Sequence, residues 1–115
     1  MRALLVVLVL ALAPPLASTG IAAERTFDLT ILRGKLTGGQ DTIRVRQGDN
    51  VVLRWHSDRP IVLHLHGYEI EARVVPRAVA EMRFEARATG RFPIHVHAGQ
   101  ARSEAVIAYL EVYPG

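Results

Sequence analysis

The stretch Ile61-Val62-Leu63-His64-Leu65-His66-Gly67 decides how this chain reads. Apolar and imidazole side chains alternate through it with a period of two. A β-strand sends successive side chains to opposite faces. Leu63 and Leu65 therefore share one face, and His64 and His66 share the other. The pattern recurs downstream in Ile94-His95-Val96-His97, so four of the five histidines fall into two strand-borne pairs.

Outward from this stretch, most of the chain reads as short strands separated by turn residues. Phe27, Leu29 and Ile31 alternate before the turn-rich segment Gly34 to Asp41. Ile43 and Val45 alternate with Arg44 and Arg46, and Gln47-Gly48-Asp49-Asn50 reads as a tight turn. Val51 to Trp55 forms the next strand, with Arg54 on its outer face, and Ser57 to Pro60 ends it. Tyr68 to Val75 reads as a strand or an extended connection ending at Pro76. Arg77 to Phe84 has some helical propensity, but Arg83-Phe84-Glu85-Ala86-Arg87 alternates better with period two. Thr89-Gly90 turns the chain into Phe92 to His97, and Ala105 to Tyr113 supplies the last strand. Pro93 lacks an amide hydrogen, so it must sit at an edge-facing or bulged position. Seven or eight strands of this spacing, with no sustained amphipathic helix, imply an all-β fold, a Greek-key sandwich or small barrel.

The N-terminal segment is of a different kind. Arg2 precedes the apolar run Ala3 to Ala13, two prolines and the small-residue stretch Ala17 to Ala23. These are the parts of a secretory signal peptide, and the apolar run is too short to span a bilayer comfortably. The expected cleavage follows Ala22 or Ala23, with Ala17 as an alternative. The expected organisation is a signal peptide over 1–23 and a single domain over 24–115, in the periplasm or secreted, with no membrane span once the signal is removed.

Composition narrows the function. With Arg2 set aside, 13 of the 14 basic residues remain against 11 acidic ones, spread singly along strands without interleaved aromatic residues. Nothing in that pattern reads nucleic acid. Arg54, Arg59 and Arg73 read as solvated strand faces. The chain has no cysteine, so disulfides and thiolate metal ligands are both excluded.

Paired imidazoles point to metal. Neutral histidine is a common ligand for copper and zinc, and two adjacent strands would let His64, His66, His95 and His97 converge. Gly67 and Gly99 leave room for another backbone or a ligand to approach. No serine or carboxylate is spaced against these histidines as a catalytic triad. Glu69 and Glu71 read equally as solvated residues or as supporting ones. His56, after Trp55 at a strand end, stays open as a fifth ligand.

The motifs Gly48-Asp49, His64-Leu65-His66-Gly67, Gly90-Arg91-Phe92-Pro93-Ile94-His95-Val96-His97 and the closing strand before Pro114 resemble those of a cupredoxin domain. More narrowly, they are similar to the histidine motifs of multicopper oxidase domains, over nearly all of 24–115. By that resemblance His64 is a type 2 copper ligand, and His66, His95 and His97 have type 3 character. Three departures matter. Ile61 stands where the family's terminal domain has a type 1 histidine, and Val96 stands where it has cysteine. Ala101 replaces a further histidine, and no methionine follows Met82. The resemblance therefore implies a cupredoxin-like domain without a blue copper centre. The four-histidine arrangement is also similar to the family's first domain, which contributes half of an inter-domain cluster.

The leading expectation is an exported protein that holds or delivers copper, with zinc also compatible with four imidazoles. A homodimer or homotrimer could complete the site, and a copper donor or acceptor protein is the expected macromolecular partner. Two alternatives stay open: a small multi-histidine copper oxidoreductase, and a metal-free interaction module. Without a type 1 centre there is no obvious electron entry route, so the reading leans away from an enzyme.

Overall fold

A computed structural model describes residues 2–15, 22–97 and 104–115. Most of the small-residue stretch before the expected cleavage point, together with Gly99 and Ala101, lies outside the described residues. Residues 2–15 carry no helix or strand and are exposed. No helix among the described residues is long and apolar enough to cross a membrane.

Nine strands follow: β1 (Glu24–Leu32), β2 (Lys35–Leu36), β3 (Thr42–Arg46), β4 (Asn50–Ser57), β5 (Ile61–Leu65), β6 (Ile70–Val74), β7 (Ala80–Glu85), β8 (Gly90–His97) and β9 (Ala105–Tyr113). They form two sheets, ordered β2-β1-β4-β7 and β3-β9-β8-β5-β6. β1 runs parallel to β4 and β3 parallel to β9, while every other pairing is antiparallel. The all-β expectation holds, and the sandwich form is the one adopted. The extra strand is the two-residue β2, inside the segment read as turn. Tyr68 to Val75 contains a true strand, and the stretch with helical propensity before Phe84 is extended as β7.

Period-two alternation sorts the side chains as the sequence implies. In β4, Val51, Leu53 and Trp55 are buried while Arg54 points out, 3.7 Å from Asp28 and 3.5 Å from Glu81. Leu63, Leu65 and Ile94 are fully buried and Val96 nearly so, all in one core cluster with Trp55, Met82 and Leu110. The expected turn forms at 47–50, where the Asp49 amide donates to the Arg46 carbonyl (3.0 Å). The Asp49 carboxylate, itself buried, accepts the Arg46 amide at 2.9 Å.

Pro93 sits inside β8, between two neighbouring strands, and not at an edge. Its carbonyl accepts the His66 amide (3.1 Å) just past the end of β5. The proline nitrogen faces that same side, one step beyond Leu65, the last paired residue of β5. One residue on, between Ile94 and His95, the β8–β9 register shifts. Pro93 itself keeps a regular partner, Tyr109, and the unpaired residue of the shift is Ile107 on β9, so neither the edge nor the bulged expectation describes it.

The turn after β5 is held by aromatic packing. Tyr68 lies 5.0 Å, ring to ring, from both Phe84 and Phe92, and its hydroxyl donates to the Ala88 carbonyl at 2.8 Å. Gly67 adopts φ +88° against this cluster, and a Cβ there would collide with the Phe92 ring. Gly38 has a similar φ of +92° but open space around it. Both positions disfavour an L side chain by about 1–2 kcal/mol. Overpacking adds roughly 1–3 kcal/mol at Gly67 alone. Chemical denaturation should therefore find Gly67→Ala less stable than Gly38→Ala by at least about 1 kcal/mol; equal losses would contradict the packing described.

Candidate metal centre

β5 and β8 are neighbours in the five-stranded sheet, and their register sets His64 directly opposite His95. Side chains directly opposite share a face and approach closely. Their apolar alternates face the core, so the imidazoles stand on the outer face. His66 follows His64 past the end of β5 and leans into the same group. Its ring centroid lies 4.1 Å from that of His64 and 4.3 Å from that of His95. Three rings thus form a row with His66 in the middle.

His97 is on the same face but one step along. It pairs with Val62, not with a histidine. Its side chain is also more exposed, 34% against 17% for His64 and 21% for His95. His56 lies on the other sheet, 3.8 Å from Asp28, away from the row.

A carboxylate closes each end of the row. His64 Nε2 donates to Glu69 Oε2 at 3.2 Å, while Glu69 Oε1 accepts the Gly67 amide at 3.2 Å. Glu69 holds φ +54°, a left-handed conformation uncommon for such a residue. At the other end His95 Nδ1 meets Glu104 Oε2 at 2.9 Å, and His97 Nε2 meets Glu104 Oε1 at 3.3 Å. Glu104 thereby ties His97 to the row. The sequence reading left Glu69 unassigned and missed Glu104, which lies across the β8–β9 connection from the histidines it touches.

These contacts favour the ionised carboxylates. The Glu69 carboxyl is held below its ordinary range chiefly by the Gly67 amide, helped by the His64 hydrogen bond. Glu104 is held low chiefly by the His95 hydrogen bond, helped by the charge of His97 when protonated. The middle of the row differs. His66 Nε2 is buried and has no hydrogen-bond partner among the described residues. A buried polar nitrogen without a partner costs about 1–3 kcal/mol, and ligation would relieve that cost.

The donor set suits a borderline divalent metal. Donor atoms of His64, His66 and Glu69 lie within 4.8 Å of one another, as do those of His66, His95 and Glu104. The positions where the resemblance would put type 1 ligands are unsuitable. Ile61 and Val96 are 3% and 7% exposed, inside the apolar core, and the chain has no cysteine.

No protein-family model matches the chain, and no curated protein matches it. Solved structures do match. A chain of a heme-copper terminal oxidase dimer superposes with TM-score 0.62 at 18% identity, covering 76% of this chain and 64% of that one. A multicopper oxidase gives TM-score 0.58 at 16% identity over 79% of this chain and 42% of its own. Auracyanin A, a blue copper protein from Chloroflexus aurantiacus, gives TM-score 0.57 at 13% identity, over 78% of this chain and 99% of its own. The fold is cupredoxin-like. This chain spans less than two thirds of the oxidase chains, and at these identities the likeness concerns the fold. A cupredoxin-like sandwich without cysteine has no type 1 copper site.

The depressed carboxyls carry a pH dependence. A carboxyl whose value is lower in the folded chain adds stability above its ordinary value, 4.5 here, and loses it as pH falls through the folded value. Denaturation of the metal-free protein should therefore show stability falling from about pH 5 towards pH 3. Glu69→Gln and Glu104→Gln should each make that fall shallower. An unchanged slope in both variants would mean the carboxylates are not held as described.

Proposed function

We propose that this chain is an exported copper-holding protein. Its site is the outer-face histidine row of His64, His66 and His95, with His97 joined to it through Glu104. The observation that carries the reading is the middle of the row. His66 has a buried Nε2 between two other imidazoles, without a partner among the described residues, an arrangement that is costly unless a ligand completes it. Copper fits the imidazole-rich set, and zinc is accommodated by the same donors. When bound, the metal supplies a Lewis-acidic or redox centre. The chain's own part is to present the imidazoles, hold Glu69 and Glu104 ionised beside them, and keep Leu63, Leu65, Ile94 and Val96 as a rigid apolar backing.

Copper-protein neighbours on the same fold support a copper-related role. With no type 1 site, holding or handing on copper is favoured over electron transfer. Transfer to a donor or acceptor protein belongs to the same reading, since the row lies on an outer sheet face. Export is supported by the segment from Leu4 to Leu12, whose large apolar side chains are 72% to 88% exposed. The folded strands begin only at Glu24.

Copper binding to the folded state alone must raise its apparent stability, by about 2.7 kcal/mol when free copper is 100 times its dissociation constant. Thermal melts with and without Cu(II) should show that rise for the parent protein, and His66→Ala should abolish it. The rise should fade in acid, because metal ligation needs the imidazoles deprotonated. A melt indifferent to copper at pH 7.5 would contradict the reading and favour the metal-free interaction module.

A further inference from the structure

The two carboxylates do more than border the row. Glu69 Oε2 lies 3.2 Å from His64 Nε2, and Glu104 Oε2 lies 2.9 Å from His95 Nδ1. Two donors bound to one ion at about 2.0–2.1 Å, at angles from square to tetrahedral, lie about 2.9–3.4 Å apart. Each imidazole–carboxylate pair already stands at that spacing, joined by a hydrogen bond whose proton an ion would replace. Loss of that proton is the usual accompaniment of metal binding to histidine. His66 supplies the third donor to both pairs, since each set of three donor atoms falls within 4.8 Å. Its Nε2 is the buried nitrogen left without a partner among the described residues.

We propose that the row contains two alternative seats for a single divalent ion, His64–His66–Glu69 and His66–His95–Glu104, with His66 the shared ligand. The proposal rests on the reading of the histidine row as a metal site. A neutral imidazole ligates through one nitrogen, so an ion in one seat withdraws His66 from the other. Each seat is a two-histidine, one-carboxylate set with further coordination positions open to the outer face. Mixed nitrogen and oxygen donors suit Cu(II) and Zn(II). They disfavour Cu(I), which is selected by thiolate and thioether ligands.

His97 belongs to neither seat. It holds the second oxygen of Glu104 at 3.3 Å and so acts as a positioning residue. The Gly67 amide does the same for the second oxygen of Glu69. This makes sense of the left-handed backbone at Glu69, whose φ of +54° is uncommon for a residue with a side chain. That conformation brings one carboxylate to both an imidazole and an amide.

The test is a Zn(II) titration of the purified protein by calorimetry, paired with anomalous diffraction from zinc-loaded crystals. One ion per chain is expected. A Glu69 or Glu104 oxygen should lie about 2.0–2.2 Å from it, with His66 always a ligand. E69Q and E104Q should each still bind one ion, about twofold more weakly if the seats are equal. The double variant E69Q/E104Q should lose at least about 100-fold, and H97A less than about tenfold. Circular dichroism melts of the metal-free variants confirm that each is folded before it is titrated. An ion held by imidazoles alone, or a double variant that binds normally, would overturn the two-seat proposal and leave the copper-holding function standing. Two ions per chain would overturn the sharing of His66. No zinc binding at all would overturn the two-seat proposal, and the Cu(II) melts then decide the copper-holding reading separately.

Discussion

The site depends on the inward packing of Leu63, Leu65, Ile94 and Val96. These residues bury one face of β5 and β8 in the core of the sandwich. Because the side-chain period of a strand is two, a slip of one residue would expose all four and turn imidazoles inward. At about 1.5–3 kcal/mol per buried aliphatic side chain, the slip forfeits on the order of 8 kcal/mol. That is comparable with the whole stability of a small domain. The register that brings His64 opposite His95 is thus enforced from the side of the sheet remote from the histidines. The histidine row inherits its geometry from the core.

The outer face then arranges charge around that geometry. Glu69 and Glu104 reach the row from opposite ends, one from the tight turn after β5 and the other from the approach to β9. Each carboxylate uses both oxygens, so each is fixed by two contacts. The clasp of Tyr68 between Phe84 and Phe92 anchors the turn that carries Glu69. Gly67 lets the chain pass that clasp without a side chain. The same apolar core occupies Ile61 and Val96, so blue-copper ligands have no place in this sandwich.

Much of this was legible in the sequence, and what was not has a physical reason. Alternation in Ile61 to Leu65 and in Ile94 to His97 gave the strands, the buried face and the outward histidines, because period two is a local property. The offset of the two pairs was not legible. His64 meets His95, which leaves His97 opposite Val62 and His66 beyond the ladder, and register is fixed by packing between strands distant in sequence. Glu104 was missed for the same reason: its contact with His95 and His97 spans the β8–β9 connection. β2 was hidden because two residues carry no readable period. Pro93 was read as needing an edge or a bulge, and its actual solution, facing the end of β5 from inside the sheet, needed the topology.

The central claim is that the histidine row of one folded chain holds a divalent metal on its outer face. Electron paramagnetic resonance of the protein loaded with one equivalent of Cu(II) tests it most directly. Hyperfine coupling to imidazole nitrogen, from an isolated copper without intense blue absorption, is the predicted spectrum, and that coupling should disappear when His66 is replaced by alanine. A spectrum of aqueous copper, or nitrogen coupling that survives the loss of His66, would contradict the account.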